Sequence, residues 1–245
     1  MNPQLLIVQT ADGSNTIYST DVGEHYHSTN GALQESRHVF LNSGLIYFLE
    51  KDMPKVSPYG GDRIAIGLEG AVSILEVGFG TGLNFLLSAE YCMSNGIRLD
   101  YTGIESFPLN KEFVMQTGYD QYIAQPVWDS FIHQYPDAIN QRVNISPSCQ
   151  LMVSHDELLS FRSNQLVDIV YFDAFASARQ PEMWSEEAIT HAASFLKSGG
   201  VFVTYAITGN LKRNMKDLGF SVEKAPGAPG KREMLRAIRH ADMRI

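Results

Sequence analysis

The segment ILEVGFGTGLNF, residues 74 to 85, constrains this chain more than any other. An apolar run that ends in glycines and passes directly into helically spaced apolar residues reads as a buried strand, a sharp turn and a helix. Gly78, Gly80 and Gly82 have no Cβ, so the chain can turn tightly there and a ligand can approach bare backbone. The helix that follows offers unpaired N–H groups at its start. The dinucleotide fingerprint needs glycine at its first, third and sixth positions. Counted from Gly78 the sixth position is Leu83, so that match fails and a nicotinamide oxidoreductase is disfavoured.

The same alternation continues along the chain. Strands are predicted at 71–78, 99–105, 149–155, 166–175 and 200–207, and helices at 83–94, 108–117, 156–162 and 185–196, with 118–148 helical in part. Ser185 and the acidic residues after it suit a helix start, and Gly199-Gly200 is read as the stop of that helix. A further helix runs to Leu218, stopped by Gly219, and FSVEK with KREMLRAIR forms a closing antiparallel pair. Strands alternating with helices imply a parallel sheet covered on both faces. Ahead of it, residues 4–9 and 15–20 form a hairpin, and 31–51 one or two helices interrupted near Asn42-Ser43-Gly44. Residues 51–63, with two Pro and two Gly, read as a linker. The expected division is an N-terminal hairpin and helical extension over 1–62 and an α/β domain over 63–245.

Composition narrows the function. At 44% hydrophobic and 19% charged over 245 residues, the chain is globular rather than disordered. Two cysteines make neither a disulfide framework nor a zinc site, and no metal is expected. With no signal peptide and no apolar run near the ~20 residues of a membrane helix, the expectation is a reduced, cytoplasmic protein that meets no membrane. The net charge is −8, but from Lys197 onward ten basic residues face four acidic ones. A local basic surface can meet a polyanion on an acidic protein; Lys212, Arg213, Lys231 and Arg232 are the candidates. A solvated basic face is the alternative.

Several acidic and aromatic residues end strands, where ligands sit in an open parallel sheet. The spacing Glu76-x-Gly-x-Gly-x-Gly is that of S-adenosylmethionine (SAM) methyltransferases, and the carboxylate suits a ligand with an ammonium group. Glu105 can accept ribose hydroxyls. Asp156 either accepts from an adenine amine or caps helix 156–162. Asp173 can accept a proton or orient an amine. Phe175 and Trp184 can stack on a base, although for Trp184 packing is the equal alternative.

LEVGFGTGLNFL, YTGIESFPL, VDIVYFDAFASARQPEMW, GGVFVTY and GKREML, in that order, resemble the methyltransferase domain of the MnmC family, as does the N-terminal DVGEHYHSTNGALQESRHVFL. The resemblance covers nearly the whole chain. It implies a Rossmann-like SAM-dependent methyltransferase fold of seven strands, the last antiparallel. It also implies methylation of the amine of 5-aminomethyl-2-thiouridine at the tRNA wobble position. SAM is then bound by Gly78, Gly80, Gly82 and Glu105, and Asp173 is the acidic residue of the acceptor block. Ala174 and Ser177 replace that block's usual Gly and Pro. No segment resembles the family's flavin-dependent oxidoreductase half, so a stand-alone methyltransferase is expected, with a separate enzyme supplying the aminomethyl precursor. A methyltransferase acting on another small amine, such as a polyamine, and a non-catalytic SAM-fold module are the competing expectations.

Overall fold

The computed structural model describes residues 5–51 and 70–240. The predicted hairpin is β1 (Leu5–Gln9) paired antiparallel with β2 (Asn15–Ser19), Ile7 opposite Ile17. The short β3 (Glu24–His25) extends it. Helix α1 (Ala32–Ser36) then continues through wider π-helical turns over Arg37–Ile46 into α2 (Tyr47–Glu50). The expected interruption at 42–44 is absent. Gly44 lies against the sheet, where a Cβ would come within 2.7 Å of the Tyr171 ring. Its glycine is a close approach, not a break. The predicted linker from residue 52 to 63, and with it the domain boundary at 62/63, lie outside the described residues. The described residues on either side share one core, in which Val39, Phe40 and Leu45 join Ile74, Tyr101 and Tyr171.

The main sheet is built from β4 (Val72–Val77), β5 (Leu99–Ile104), β6 (Val143–Ser146), β7 (Cys149–Ser154), β8 (Val167–Phe172), β9 (Leu196–Thr204), β10 (Phe220–Pro226) and β11 (Glu233–Arg239). Its order is β10-β11-β9-β8-β4-β5-β7-β6. The stretch β9-β8-β4-β5-β7 is parallel. The predicted closing pair is β10 with β11, and the last strand runs antiparallel against β9. The seven expected strands are thus present, joined by an eighth, β6, antiparallel at the far edge. It falls in the polar region 118–148, which was expected to be helical in part and for which no strand was predicted.

Helices α3 (Leu83–Ser94), α4 (Lys111–Met115), α5 (Gln125–Ala138), α6 (Glu186–Ser194) and α7 (Gly209–Asp217) complete the chain. Alternate strand residues face opposite layers: Ile74, Tyr101, Ile169 and Val201 meet the layer of α3, α5 and the N-terminal segment. Leu75, Ile104, Val170 and Phe202 meet the layer of α6 and α7. Two boundaries depart from expectation. No helix forms over 156–162; a single turn buries Leu158 and Phe161, and the chain leaves it for β8. Helix α6 ends at Ser194, and Gly199-Gly200 lie inside β9, beside a register shift against β8. Among the described residues no helix is long and apolar enough to cross a membrane.

Candidate active site

The chain order places a topological switch between β4 and β8. From β4 it winds outward through β5 and β7, then returns to β8 on the other side. Strands diverge from a switch, and the crevice past their carboxyl ends is where open α/β sheets bind ligands. Glu76 near the end of β4 and Asp173 just past β8 flank it.

On the β4 side the glycine turn behaves as the sequence implies. Gly78 and Gly80 have φ of 86° and 52°, the left-handed region that side chains disfavour. A Cβ at Gly78 would lie 2.5 Å from the Asp173 carbonyl oxygen, and one at Gly80 would lie 3.0 Å from the Tyr26 ring. Gly82 is the N-cap of α3. The Gly80 N–H donates to Glu105 Oε2 (2.9 Å) and the Phe107 N–H to Oε1 (3.0 Å), so Glu105 stands directly over the turn. Burial holds its carboxyl above the ordinary range. Asp156 lies beyond the neighbouring strand. With no helix to cap, it accepts from the Ser154 hydroxyl.

Glu76 is fully buried. Asn84 Nδ2 donates to its Oε1 (2.7 Å) and the Tyr101 hydroxyl to its Oε2 (2.8 Å). Its carboxyl is pushed well above the usual carboxylate range, first by burial and then by the charge of Asp173. The other hydrogen of Asn84 Nδ2 goes to Asp173 Oδ2 (2.8 Å). One amide therefore ties the two carboxylates together, while its own Oδ1 is buried with no partner. Asn84 is not among the residues that the motifs single out; the signal for it is a polar residue on the first turn of a mostly apolar helix, two positions past the last glycine. Asp173 is pushed up to about 8, by burial and then by Glu35, while Asn84 and Lys231 pull the other way. An ordinary Asp near 4 would orient an amine without being much of a base; this one is poised near neutrality.

The block after Asp173 folds against the N-terminal segment. The Ala176 N–H donates to Glu24 (3.0 Å), and Phe175 meets Tyr26 edge to face at 5.1 Å. Trp184 is committed to packing. Its Nε1 donates to the Phe175 carbonyl (2.7 Å), and its ring sits edge-on to Phe172 and Tyr205. It braces the loop, and the base-stacking expectation passes to Phe175, which is half-buried. Lys231 is not the free surface cation that the charge distribution suggests. Its Nζ pairs with Glu35 at 2.6 Å and lies 3.8 Å above the Tyr205 ring. Arg213 and Arg232 are exposed and Lys212 half-exposed. Tyr26, Glu35 and Tyr205 also line the candidate site; they lie in segments that carry the family resemblance, but no motif or spacing singles them out.

The family described as S-adenosyl-L-methionine-dependent methyltransferase matches residues 122–240. The tRNA 5-methylaminomethyl-2-thiouridine biosynthesis bifunctional protein MnmC of Methylobacillus flagellatus is 31% identical over 234 residues, which is 89% of this chain and 33% of that protein. Its counterpart in Acinetobacter baylyi is 30% identical over 248 residues, 94% of this chain and 37% of that protein. The chain thus spans about a third of the length of these curated relatives. Among solved structures, MnmC2 from Aquifex aeolicus superposes with a TM-score of 0.72 at 21% identity, over 99% of this chain and 72% of that one. Fold and relatives bear out the resemblance read from the sequence.

Proposed function

We propose that this relative of the MnmC proteins, an S-adenosyl-L-methionine-dependent methyltransferase, methylates the amine of 5-aminomethyl-2-thiouridine at the tRNA wobble position. The observation that carries the proposal is Asp173. It is a carboxylate at the switch point, tied through Asn84 to the cofactor turn and pushed up to about 8.

The residues at the turn suit the cofactor. Gly80 presents a cradle that a side chain would crowd. Glu105 is oriented by two backbone N–H groups at the end of the neighbouring strand, as a ribose acceptor must be. Asn84 Oδ1 is a buried acceptor without a donor, the feature that an ammonium on an amino-acid tail satisfies. Glu76, enclosed by Asn84 and Tyr101, acts through Asn84 rather than by touching the ligand. Bound SAM supplies a methyl group already activated on a sulfonium.

The protein's part is alignment and proton removal. An aminomethyl group is a cation at neutral pH and has no lone pair. Asp173 attracts that ammonium, and the arriving positive charge favours its ionised form. It then takes one proton from the nitrogen, freeing the lone pair, which would form the N–CH₃ bond with the methyl group that SAM would supply, the S–CH₃ electrons leaving on sulfur. The products are a methylated ammonium, a neutral thioether and a protonated Asp173 that returns its proton to water. A carboxylate poised near the working pH suits this transfer far better than one near 4. Phe175 stacks on the base, and Lys212, Arg213 and Arg232 meet tRNA phosphates. The reaction is cytoplasmic, and a separate enzyme delivers the aminomethyl precursor.

The test presents this chain and SAM with purified tRNA bearing either 5-aminomethyl- or 5-carboxymethylaminomethyl-2-thiouridine, read by nucleoside mass spectrometry. Only the first should gain a methyl group, because the extra carboxylate of the second is repelled by Asp173. Methylation of the carboxymethyl form, or of a free polyamine in preference to tRNA, would overturn the reading.

A further inference from the structure

Lys231 and Glu35 lie 196 positions apart in sequence and meet over Tyr205, whose hydroxyl bonds the residue after Asp173, close enough for both charges to act on Asp173. Each is held in place independently. Glu35, buried in α1, accepts the Ser28 N–H on its second oxygen at 2.7 Å. Lys231 sits in a tight turn between β10 and β11, closed by its N–H to Ala228 O (2.8 Å) and by Gly227 N–H to Arg232 O (3.2 Å). The N-terminal segment grips that turn at two further points. Asn30 Nδ2 donates to Pro229 O (3.4 Å), and His38 Nε2 lies 2.7 Å from Pro226 O. Beneath the Lys231 ammonium, Tyr205 donates its hydroxyl to Ala174 O (2.9 Å), the residue after Asp173. Glu35 is buried while Lys231 keeps about a third of its side chain exposed (34%), and replacing such a pair by neutral groups often leaves stability unchanged.

We propose that Glu35 and Lys231 are positioning residues of the acceptor site, through which the first and last segments of the chain clamp together over Asp173 and set the charge that an arriving amine meets. The inference rests on reading Asp173 as the acceptor carboxylate. Around Asp173 the charged and titratable groups are Glu35 from α1, Lys231 from the β10–β11 turn, Glu76 from β4 and Tyr101 from β5. Among the described residues Tyr205 beyond β9 and Glu24 of β3 act in the same cluster. Of these, Glu35 pushes Asp173 toward its protonated form and Lys231 pulls it back. A fixed ammonium beside the carboxylate also disfavours a second ammonium, which promotes the neutral, nucleophilic form of the acceptor amine.

The two partners of one ion pair therefore act on Asp173 with opposite sign, and the rate of methyl transfer is the readout that separates a positioning pair from a merely structural one. The experiment is a carboxyl-¹³C NMR titration of the free protein with labelled aspartate, Asp173 being assigned by the resonance that disappears in Asp173→Asn. Glu35→Gln removes the negative charge and leaves a lysine that can reach water, so the Asp173 midpoint should fall by on the order of one pH unit. Adding Lys231→Met to Glu35→Gln should bring it back up, and Lys231→Arg alone should stay close to the parent. The acidic limb of kcat/KM for methyl transfer should follow the same order. If Glu35→Gln does not fold, the neutral double variant is compared with the parent and with Lys231→Arg. It keeps the proposal only if it folds and its kcat/KM falls at least tenfold while Lys231→Arg retains the parent's rate. A midpoint unmoved in Glu35→Gln, or one that falls further in the double variant, overturns the inference. Midpoints that move as stated in a protein whose Asp173→Asn variant still methylates at the parent rate would instead sink the role given to Asp173.

Discussion

From Glu76 to Glu105 a single strand, turn, helix and strand lay out one wall of the cleft, the one we assign to the cofactor. The wall opposite draws on Tyr26, Glu35, Asp173, Phe175, Tyr205 and Lys231, which lie at both ends of the chain and in its middle. The first wall is held mainly by backbone: positive-φ glycines and N–H groups that point at a carboxylate. The second is held by side chains reaching across elements, a Glu24 carboxylate on a loop N–H, a tyrosine on a carbonyl, a lysine on a buried glutamate. A wall of backbone tolerates change in its surroundings and fails when its glycines change. A wall of side chains can be altered one charge at a time, which suits the amine selection we propose for it.

The largest effect that separates the two walls is expected from Asp173→Ala. It should leave SAM affinity intact by calorimetry and lower methyl transfer by roughly 10²–10⁴. Turnover within a few-fold of the parent would make Asp173 a structural residue and erase the distinction. Gly80→Val tests the other wall. At φ 52°, with a Cβ 3.0 Å from the Tyr26 ring, valine both strains the turn and crowds the cradle, so calorimetry should record loss of SAM binding in a folded protein. Asn84 joins the walls. Asn84→Ala leaves Asp173 without its amide donor and Glu76 with the Tyr101 hydroxyl alone, and a buried unsatisfied group costs about 1–3 kcal/mol. SAM affinity and kcat should both fall in this variant, whereas a change in only one would place Asn84 on a single wall.

A smaller effect concerns pH. Asp173 is raised above its unfolded value, so the folded state binds more protons between about 4 and about 8, and its contribution to stability is lost as pH rises through that window. Asp173→Asn should therefore melt on the order of 2–4 °C higher than the parent at pH 8, with the gain shrinking toward pH 4. An equal gain at both pH values would show that charge is not its source. The smallest effect lies outside the walls. Charge reversal at Lys212, Arg213 or Arg232 should lower the slope of log tRNA affinity against log salt by about 0.7–0.9 for each phosphate no longer neutralised, in a filter-binding series. Slopes that stay unchanged would leave this basic surface as a solvated face.

The amino-acid sequence by itself determined the alternating strands and helices, the full span of α3, the hairpin, the closing antiparallel pair and the glycine turn with Glu105. Each is encoded by neighbours in the chain, through apolar periodicity or the steric freedom of glycine, and such signals survive reading in one dimension. Tertiary structure decided what those signals do not carry. Gly44, which reads as a break, lies against Tyr171 in an unbroken helical run, and Gly199-Gly200, which reads as a stop, sits inside β9. A glycine's local freedom looks the same whether it is used to end a helix or to let a neighbour come close. Lys231 reads as a free cation, and Trp184 equally as a stacking or a packing ring, until the fold brings Glu35, Tyr205 and Phe172 to them. Even the proton affinity of Asp173 belongs to the fold, because burial and charges from distant segments set it, and no spacing of residues in a chain states which of them will be neighbours in space.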